Sequence, residues 1–268
     1  MLIGEFMNIK FKKTIKKILR YFNIGVTNAK ILDDLLLNIN AVNDLKFILN
    51  MPNDKASELL KYFLKSKSQI HQDLFVLTQL NFKKNGYFIE FGATNGFDLS
   101  NTHLLEKEFE WNGILAEPAK CWHSDLKNNR SCNIETACVW SNSNSILTFN
   151  EVRNAEYSTI SNFSKSDIHK DNRENGKKYE LITISLIELL EKYNAPKLID
   201  YLSIDTEGSE FEILRNFDFS KYSFNVITCE HNFTASREKL FILLTKHGYV
   251  RVHQNLSLFD DWYIRPSD

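Results

Sequence analysis

The sequence predicts an α/β chain: an open, mostly parallel sheet of seven strands covered on both faces, preceded by a helical N-terminal extension. Three observations predict it. From Gly86 onward, short apolar runs alternate with helix-like segments. The first run ends in a glycine-bounded loop, residues 87–96 (YFIEFGATNG), that leads toward a helix. The last two runs are joined by a connection too short for a helix, which makes them an antiparallel hairpin.

The extension covers residues 1–80. Its first six residues, MLIGEF, precede a second Met7 and read as a cloning remnant. Lys10, Lys12, Lys13, Lys16, Lys17 and Arg20 then interleave with Phe11, Ile15, Ile18, Leu19 and Phe22, an amphipathic helix with a basic face. That face either makes weak contact with an anionic membrane surface or is a solvated surface over a packed stripe. Further helices fall at 29–49, 55–64 and 69–80, with Pro52 breaking the first from the second. The extension reads as a cap over the following domain or as a contact in a homo-oligomer.

Within residues 81–268 the strands fall at Tyr87–Phe91, 113–117, 132–137, 201–205, 224–230, 250–254 and 262–265. Helices fall at 100–108, 119–128, 186–193, 210–217 and 236–247. A polar stretch at 150–180 interrupts the alternation and reads as a lid or binding loop, the usual meaning of a long loop in a compact domain.

Composition narrows the class. Net charge is −1, from 33 basic and 34 acidic residues, so no global field points to nucleic acid. Cys121, Cys132, Cys138 and Cys229 form no C-x-x-C pair and read as reduced thiols of a cytoplasmic protein. No apolar run approaches the ~18 residues of a membrane span.

In open α/β sheets, ligands bind beyond the carboxyl ends of the strands. Those ends carry Glu90, Glu117, Asp205 with Glu207, and Glu230-His231-Asn232. After Glu90 the loop runs Gly92-Ala93-Thr94-Asn95-Gly96, where small residues let backbone N–H groups approach a ligand. Glu117, followed by Pro118, ends the second strand, where an acid holds the two hydroxyls of a nucleoside ribose. The pattern is E-x-G-x-x-x-G rather than the G-x-G-x-x-G of dinucleotide sites. It suits S-adenosylmethionine (SAM), which has no pyrophosphate but presents an ammonium and a carboxylate; Thr94 stands where a middle glycine is usual. The plainer alternative is a glycine turn that only ends a core strand.

Residues 97–118, FDLSNTHLLEKEFEWNGILAEP, resemble the FkbM family of SAM-dependent methyltransferases. The resemblance rests on Ser100-Asn101-Thr102, Leu105-Glu106, Trp111 with Gly113-Ile114, and Glu117-Pro118. A second family block, Y-L-S-I-D-x-E-G-S-E, stands at 201–210. Asn95 departs from the Asp common there. The resemblance covers about 85–265 and implies a Rossmann-like class I methyltransferase sheet. It also implies SAM as cofactor, held by Glu90, residues 92–96, Ser100, Asn101, Glu117, Pro118 and Asp205, and an acceptor hydroxyl on a sugar, nucleotide-activated or part of a surface polysaccharide.

A hydroxyl is a poor nucleophile while protonated, so a base or a metal must assist. His231 is one candidate, with Asp205 and Glu207 beside it; alternatively Asp205 and Glu230 hold Mg²⁺ or Mn²⁺, hard ions suited to carboxylates. Asp205 or Glu207 could instead only cap the helix that follows. Tyr157, Ser158, Thr159, His169 and Arg173 on the long loop, with Glu207, His231 and Asn232, supply groups for the sugar, or are ordinary surface side chains. The competing readings are a nicotinamide oxidoreductase and a non-catalytic nucleoside-binding module.

Overall fold

The computed structural model describes residues 41–266, which fall in two compact units, 1–53 and 54–268. Of the first unit, the described part is a helix over 41–50, after which Met51 N–H bonds the Ile48 carbonyl at 3.1 Å. The basic helix expected around residues 10–22 lies outside the described residues, as does the start of the helix expected at 29–49.

The second unit opens with two helices, α1 (Asn53–Phe63) and α2 (Gln72–Gln79). Phe75 on α2 stacks on Trp262 of the sheet at 4.6 Å between ring centroids. Gln72 on the same helix donates to the Asp260 carboxylate at 2.9 Å. These contacts place residues 54–80 with the sheet, so the boundary expected at 80/81 lies instead at 53/54. The helices look like an extension in sequence because their apolar residues say nothing about which partner they cover.

All seven expected strands form one sheet. In chain order they are β1 (Tyr87–Phe91), β2 (Asn112–Ala116), β3 (Asn133–Glu135), β8 (Leu198–Ile204), β9 (Ser223–Glu230), β10 (Val250–Val252) and β11 (Asp260–Ile264), arranged β10-β11-β9-β8-β1-β2-β3. The pairs among β3, β2, β1, β8 and β9 are parallel; β11 runs antiparallel to β9 and to β10, the expected hairpin. Strand β3 stops early because the Glu135 carboxylate takes the N–H groups of Thr136 and Ala137, which would otherwise continue the ladder. Central strands are buried along almost their whole length, as parallel strands covered on both faces must be. Ile89, Phe91, Ile204 and Ile227 form the core with Leu189 of α5 (Leu186–Lys192), Leu214 of α6 (Glu210–Leu214) and Leu240 of α7 (Ser236–Lys246). Two shorter helices, α3 (His103–Phe109) and α4 (His123–Asn129), follow β1 and β2.

A second sheet corrects the reading of 150–180 as one long loop. Strands β4 (Cys138–Trp140), β5 (Ile146–Glu151), β6 (Thr159–Ile160) and β7 (Lys177–Ser185) are ordered β4-β7-β5-β6. β5 and β7 pair antiparallel from Ile146↔Ile182 to Glu151↔Lys177. Much of this ribbon is solvent-exposed, so its Lys177, Lys178 and Glu180 give it the composition of a loop. The excursion between β5 and β7 is confined to residues 152–176, interrupted by β6.

Candidate active site

The loop after β1 is fastened to the two neighbouring strand tips. Gly92 N–H bonds the Ala116 carbonyl at 3.0 Å, and Asp205 N–H bonds the Phe91 carbonyl at 3.2 Å. Thr94 has φ +46°, the left-handed region a glycine would adopt without strain, and its N–H donates to Glu117 Oε2 at 2.8 Å. Ala119 N–H donates to the other Glu117 oxygen at 2.7 Å. Burial pushes the Glu117 carboxyl up to about 7, against the pull of these two donors. Each of its oxygens keeps a further lone pair. Asn95 closes its own turn, accepting from Phe97 and Asp98 N–H, while Gly96 N–H returns to the Ala93 carbonyl. Pro118 carbonyl meets the Tyr179 hydroxyl at 3.5 Å, a link from the second sheet to this turn.

Glu90 is buried and does not face open solvent. Its carboxylate accepts from Ser100 Oγ, Asn101 N–H and Thr102 Oγ1, which turns the Ser-Asn-Thr stretch into the entry of α3. The helix accordingly starts at His103, three residues later than its composition suggests. Arg130, which the sequence reading did not single out, completes the cluster. Its guanidinium donates to Glu106 Oε2 at 2.7 Å, the Gly96 carbonyl at 3.2 Å, Ser100 Oγ at 3.0 Å and Thr102 Oγ1 at 2.8 Å, and lies 3.7 Å from Glu90. Glu106 is held down to about 2 by Arg130 and Ser131 although its burial acts the other way. No sequence signal marks it, because the Arg130 partners lie 24 to 40 positions earlier in the chain.

At the tips of β8 and β9, Asp205, Glu207 and Glu230 bring one carboxylate oxygen each within 4.8 Å of one another. Burial pushes Asp205 up to about 7, with the neighbouring acids Glu210, Glu90 and Glu156 acting in the same direction. Burial first, then the charge of Asp205, raises both Glu207 and Glu230 well above the usual carboxylate range. Asp205 is the least buried of the three. Glu207 sits at φ +59° and is paired with Arg173 at 2.6 Å; Asn232 Nδ2 donates to the same oxygen at 3.3 Å. Neither Asp205 nor Glu207 caps α6. Glu210 does that work, accepting from Thr206 and Gly208 N–H.

His231 is engaged on both sides. Phe233 N–H donates to its Nδ1 at 3.0 Å, which leaves the proton on Nε2, facing the Asp260 carbonyl at 3.1 Å. Burial lowers its pKa, so the ring is a neutral brace of the β9 terminus with no free lone pair for an incoming proton.

The excursion residues are brought against this cluster through Arg173, which is buried and also holds Asp167 at 2.9 Å and the Tyr157 carbonyl at 2.8 Å. Thr159 Oγ1 donates to the Glu207 carbonyl at 2.9 Å. His169 stacks on Tyr157 at 4.3 Å, and Ser158 Oγ accepts from Val152 N–H. The five loop residues thus fix the excursion's own shape, with Arg173 and Thr159 reaching the strand tips.

Two features fit a SAM-like ligand. Asn101 is buried, its Nδ2 donates to Ser203 Oγ at 2.9 Å, and its Oδ1 has no hydrogen-bond partner. A buried acceptor without a donor is costly, and an ammonium supplies one. Glu117 is likewise a buried, hydrogen-bonded carboxyl with lone pairs left for a diol. For a cation, the three carboxylates form an oxygen-only set that suits Mg²⁺ or Mn²⁺, with Arg173 already neutralising Glu207.

A family model described as "Methyltransferase FkbM domain" matches residues 90–262. No curated protein matches. Among solved structures, similar chains include a methyltransferase FkbM from Methylobacillus flagellatus KT (13% identity, 96% of this chain and 71% of that one, TM-score 0.44). A precorrin-6y C5,15-methyltransferase from Geobacter metallireducens GS-15 is similar at 12% identity over 72% of this chain and 85% of its own, TM-score 0.39. A SAM-dependent methyltransferase from Aquifex aeolicus is similar at 9% identity over 78% and 98%, TM-score 0.34. At these values the likenesses carry no residue roles.

Proposed function

The chain belongs to the FkbM methyltransferase family, and from that premise we propose that it moves a methyl group from SAM to a hydroxyl of a sugar, nucleotide-activated or part of a polysaccharide. The observation that carries this reading is the convergence of four carboxyls, Glu117, Asp205, Glu207 and Glu230, at adjoining strand tips around a glycine loop. A nicotinamide oxidoreductase no longer competes, because the matched family is one of methyltransferases.

When bound, SAM supplies a methyl on a sulfonium, an electrophile that needs only an aligned nucleophile. Asn101 Oδ1 would hold the ammonium and Glu117 the ribose hydroxyls, with Thr94 and Ala119 N–H fixing the Glu117 carboxylate. Methyl transfer forms an O–C bond, breaks the S–C bond and releases the hydroxyl proton. Asp205, raised to about 7 and the least buried of the three acids, would take that proton, with the Glu230 carboxyl close beside it. Alternatively Asp205 and Glu230, with Glu207, would hold Mg²⁺ or Mn²⁺, and such an ion would lower the pKa of a hydroxyl there. His231 is left out of both schemes because its ring nitrogens are committed.

Titrating the protein with SAM and with NAD by calorimetry tests the donor: SAM binding is expected, and binding of NAD alone would overturn the reading. Chelation separates the two forms of activation. Loss of turnover in EDTA with recovery in Mg²⁺ or Mn²⁺ selects the metal; full turnover in metal-free protein selects the carboxyl pair. The four cysteines are free thiols, which is compatible with the cytoplasm as the place of action.

A further inference from the structure

We infer that the cleft beside the second sheet is the subsite for the phosphate and one hydroxyl of a phosphorylated sugar acceptor, an inference that rests on the sugar-methyltransferase reading above. The cleft has a volume of about 850 Å³, and its lining includes Asn150, Ser161, Lys165, Lys170, Arg173 and Lys178. That is room for a ligand of nucleotide-sugar size.

Charge and floor together define the ligand. Lys165, Lys170 and Lys178 come from separate stretches of chain, and none of their ammonium groups has a partner among the described residues. Asp171 and Glu174 also line the cleft, so lysines alone would make only a weakly basic surface. The floor makes it a site. Asn150 is 1% exposed; its Nδ2 donates to Ser164 Oγ at 3.1 Å and to the Arg173 carbonyl at 3.0 Å, which orients Oδ1 as an acceptor with no donor. Ser161 Oγ is shielded and without a partner as well. Gly176 packs directly against the Asn150 side chain, so a Cβ there, within 2.2 Å of Oδ1, would displace that oxygen.

A buried acceptor calls for an O–H or N–H, which inorganic phosphate at neutral pH supplies poorly and a sugar hydroxyl supplies well. Lysine ammonium groups call for an anion. A sugar phosphate answers both. The position suits the chemistry, because Arg173 is a shared wall: it lines the cleft and also donates to Glu207 at 2.6 Å, beside Asp205 and Glu230.

The test is calorimetry on the full chain with UDP-glucose, inorganic pyrophosphate and glucuronate, alongside SAM. Wild-type protein should bind UDP-glucose and pyrophosphate. The Lys165→Ala, Lys170→Ala, Lys178→Ala triple variant should lose about tenfold or more for both. Gly176→Ala should weaken UDP-glucose while sparing pyrophosphate. SAM affinity should be unchanged in every variant, which also reports folding. Unchanged UDP-glucose affinity in the triple variant overturns the subsite, as does binding of glucuronate with no binding of either phosphate probe up to about 5 mM. Absence of SAM binding in the wild type would overturn the methyltransferase reading while leaving the anion subsite standing.

Discussion

Gly92 and Asp205 meet backbone to backbone: a Cβ built on Gly92 would lie 1.8 Å from the Asp205 carbonyl oxygen. With φ at +76°, Gly92 also occupies a region closed to most side chains. The loop proposed for the cofactor and the acid proposed for the acceptor therefore rest on one contact. Gly92→Val should force the tips of β1 and β8 apart, abolish SAM binding and destabilise the protein by roughly 1–3 kcal/mol or more. Calorimetry and thermal unfolding check it; SAM affinity equal to wild type would show that the contact is not needed.

Glu117 has a structural task as well as the one proposed. Removing its carboxyl strands the N–H groups of Thr94 and Ala119. Glu117→Ala should cost about 1–3 kcal/mol of stability and weaken SAM further. Glu117→Gln keeps an acceptor, so it should recover much of the stability with less of the affinity. Equal recovery of both would confine Glu117 to bracing the loop.

Thr94 is a β-branched residue at positive φ. Thr94→Gly should relieve that strain and raise stability by about 1 kcal/mol, with SAM affinity kept because the N–H to Glu117 remains. A lower melting temperature would mean that the Thr94 side chain contributes more than its backbone costs.

Much of this was legible in sequence. The seven strands show as apolar runs because central parallel strands are buried on both faces, and the acids at their ends stand out against those runs. What was hidden depended on backbone and side-chain partners that only the folded chain brings together. His231 looks like a base until Phe233 N–H and the Asp260 carbonyl are seen on its ring. Arg130 looks like a surface residue until Glu106 and Thr102 enclose it. The β5–β7 ribbon reads as loop because polar residues dominate a half-exposed sheet.

Stability should fall as pH rises. Burial pushes Asp260 up to about 8, so the folded state favours the protonated form more than the unfolded chain does. The stabilisation is complete below the unfolded value near 4 and is lost as pH climbs through about 8. Thermal unfolding between pH 5 and pH 9 should show a falling midpoint on the alkaline side. Asp260→Asn should flatten that fall while leaving an acceptor for Gln72. An equally steep fall in the variant would assign the effect to other groups.

Transfer of a labelled methyl group from SAM to a panel of nucleotide sugars, with the product's methylated atom located by NMR, tests the central claim most directly. The label should appear on a sugar oxygen, with the rate rising as pH passes through about 7 if the carboxyl pair acts alone, and Asp205→Asn should lower turnover about 10²–10⁴-fold without loss of SAM binding. Label on a nitrogen or carbon atom, or full turnover in Asp205→Asn, would contradict it.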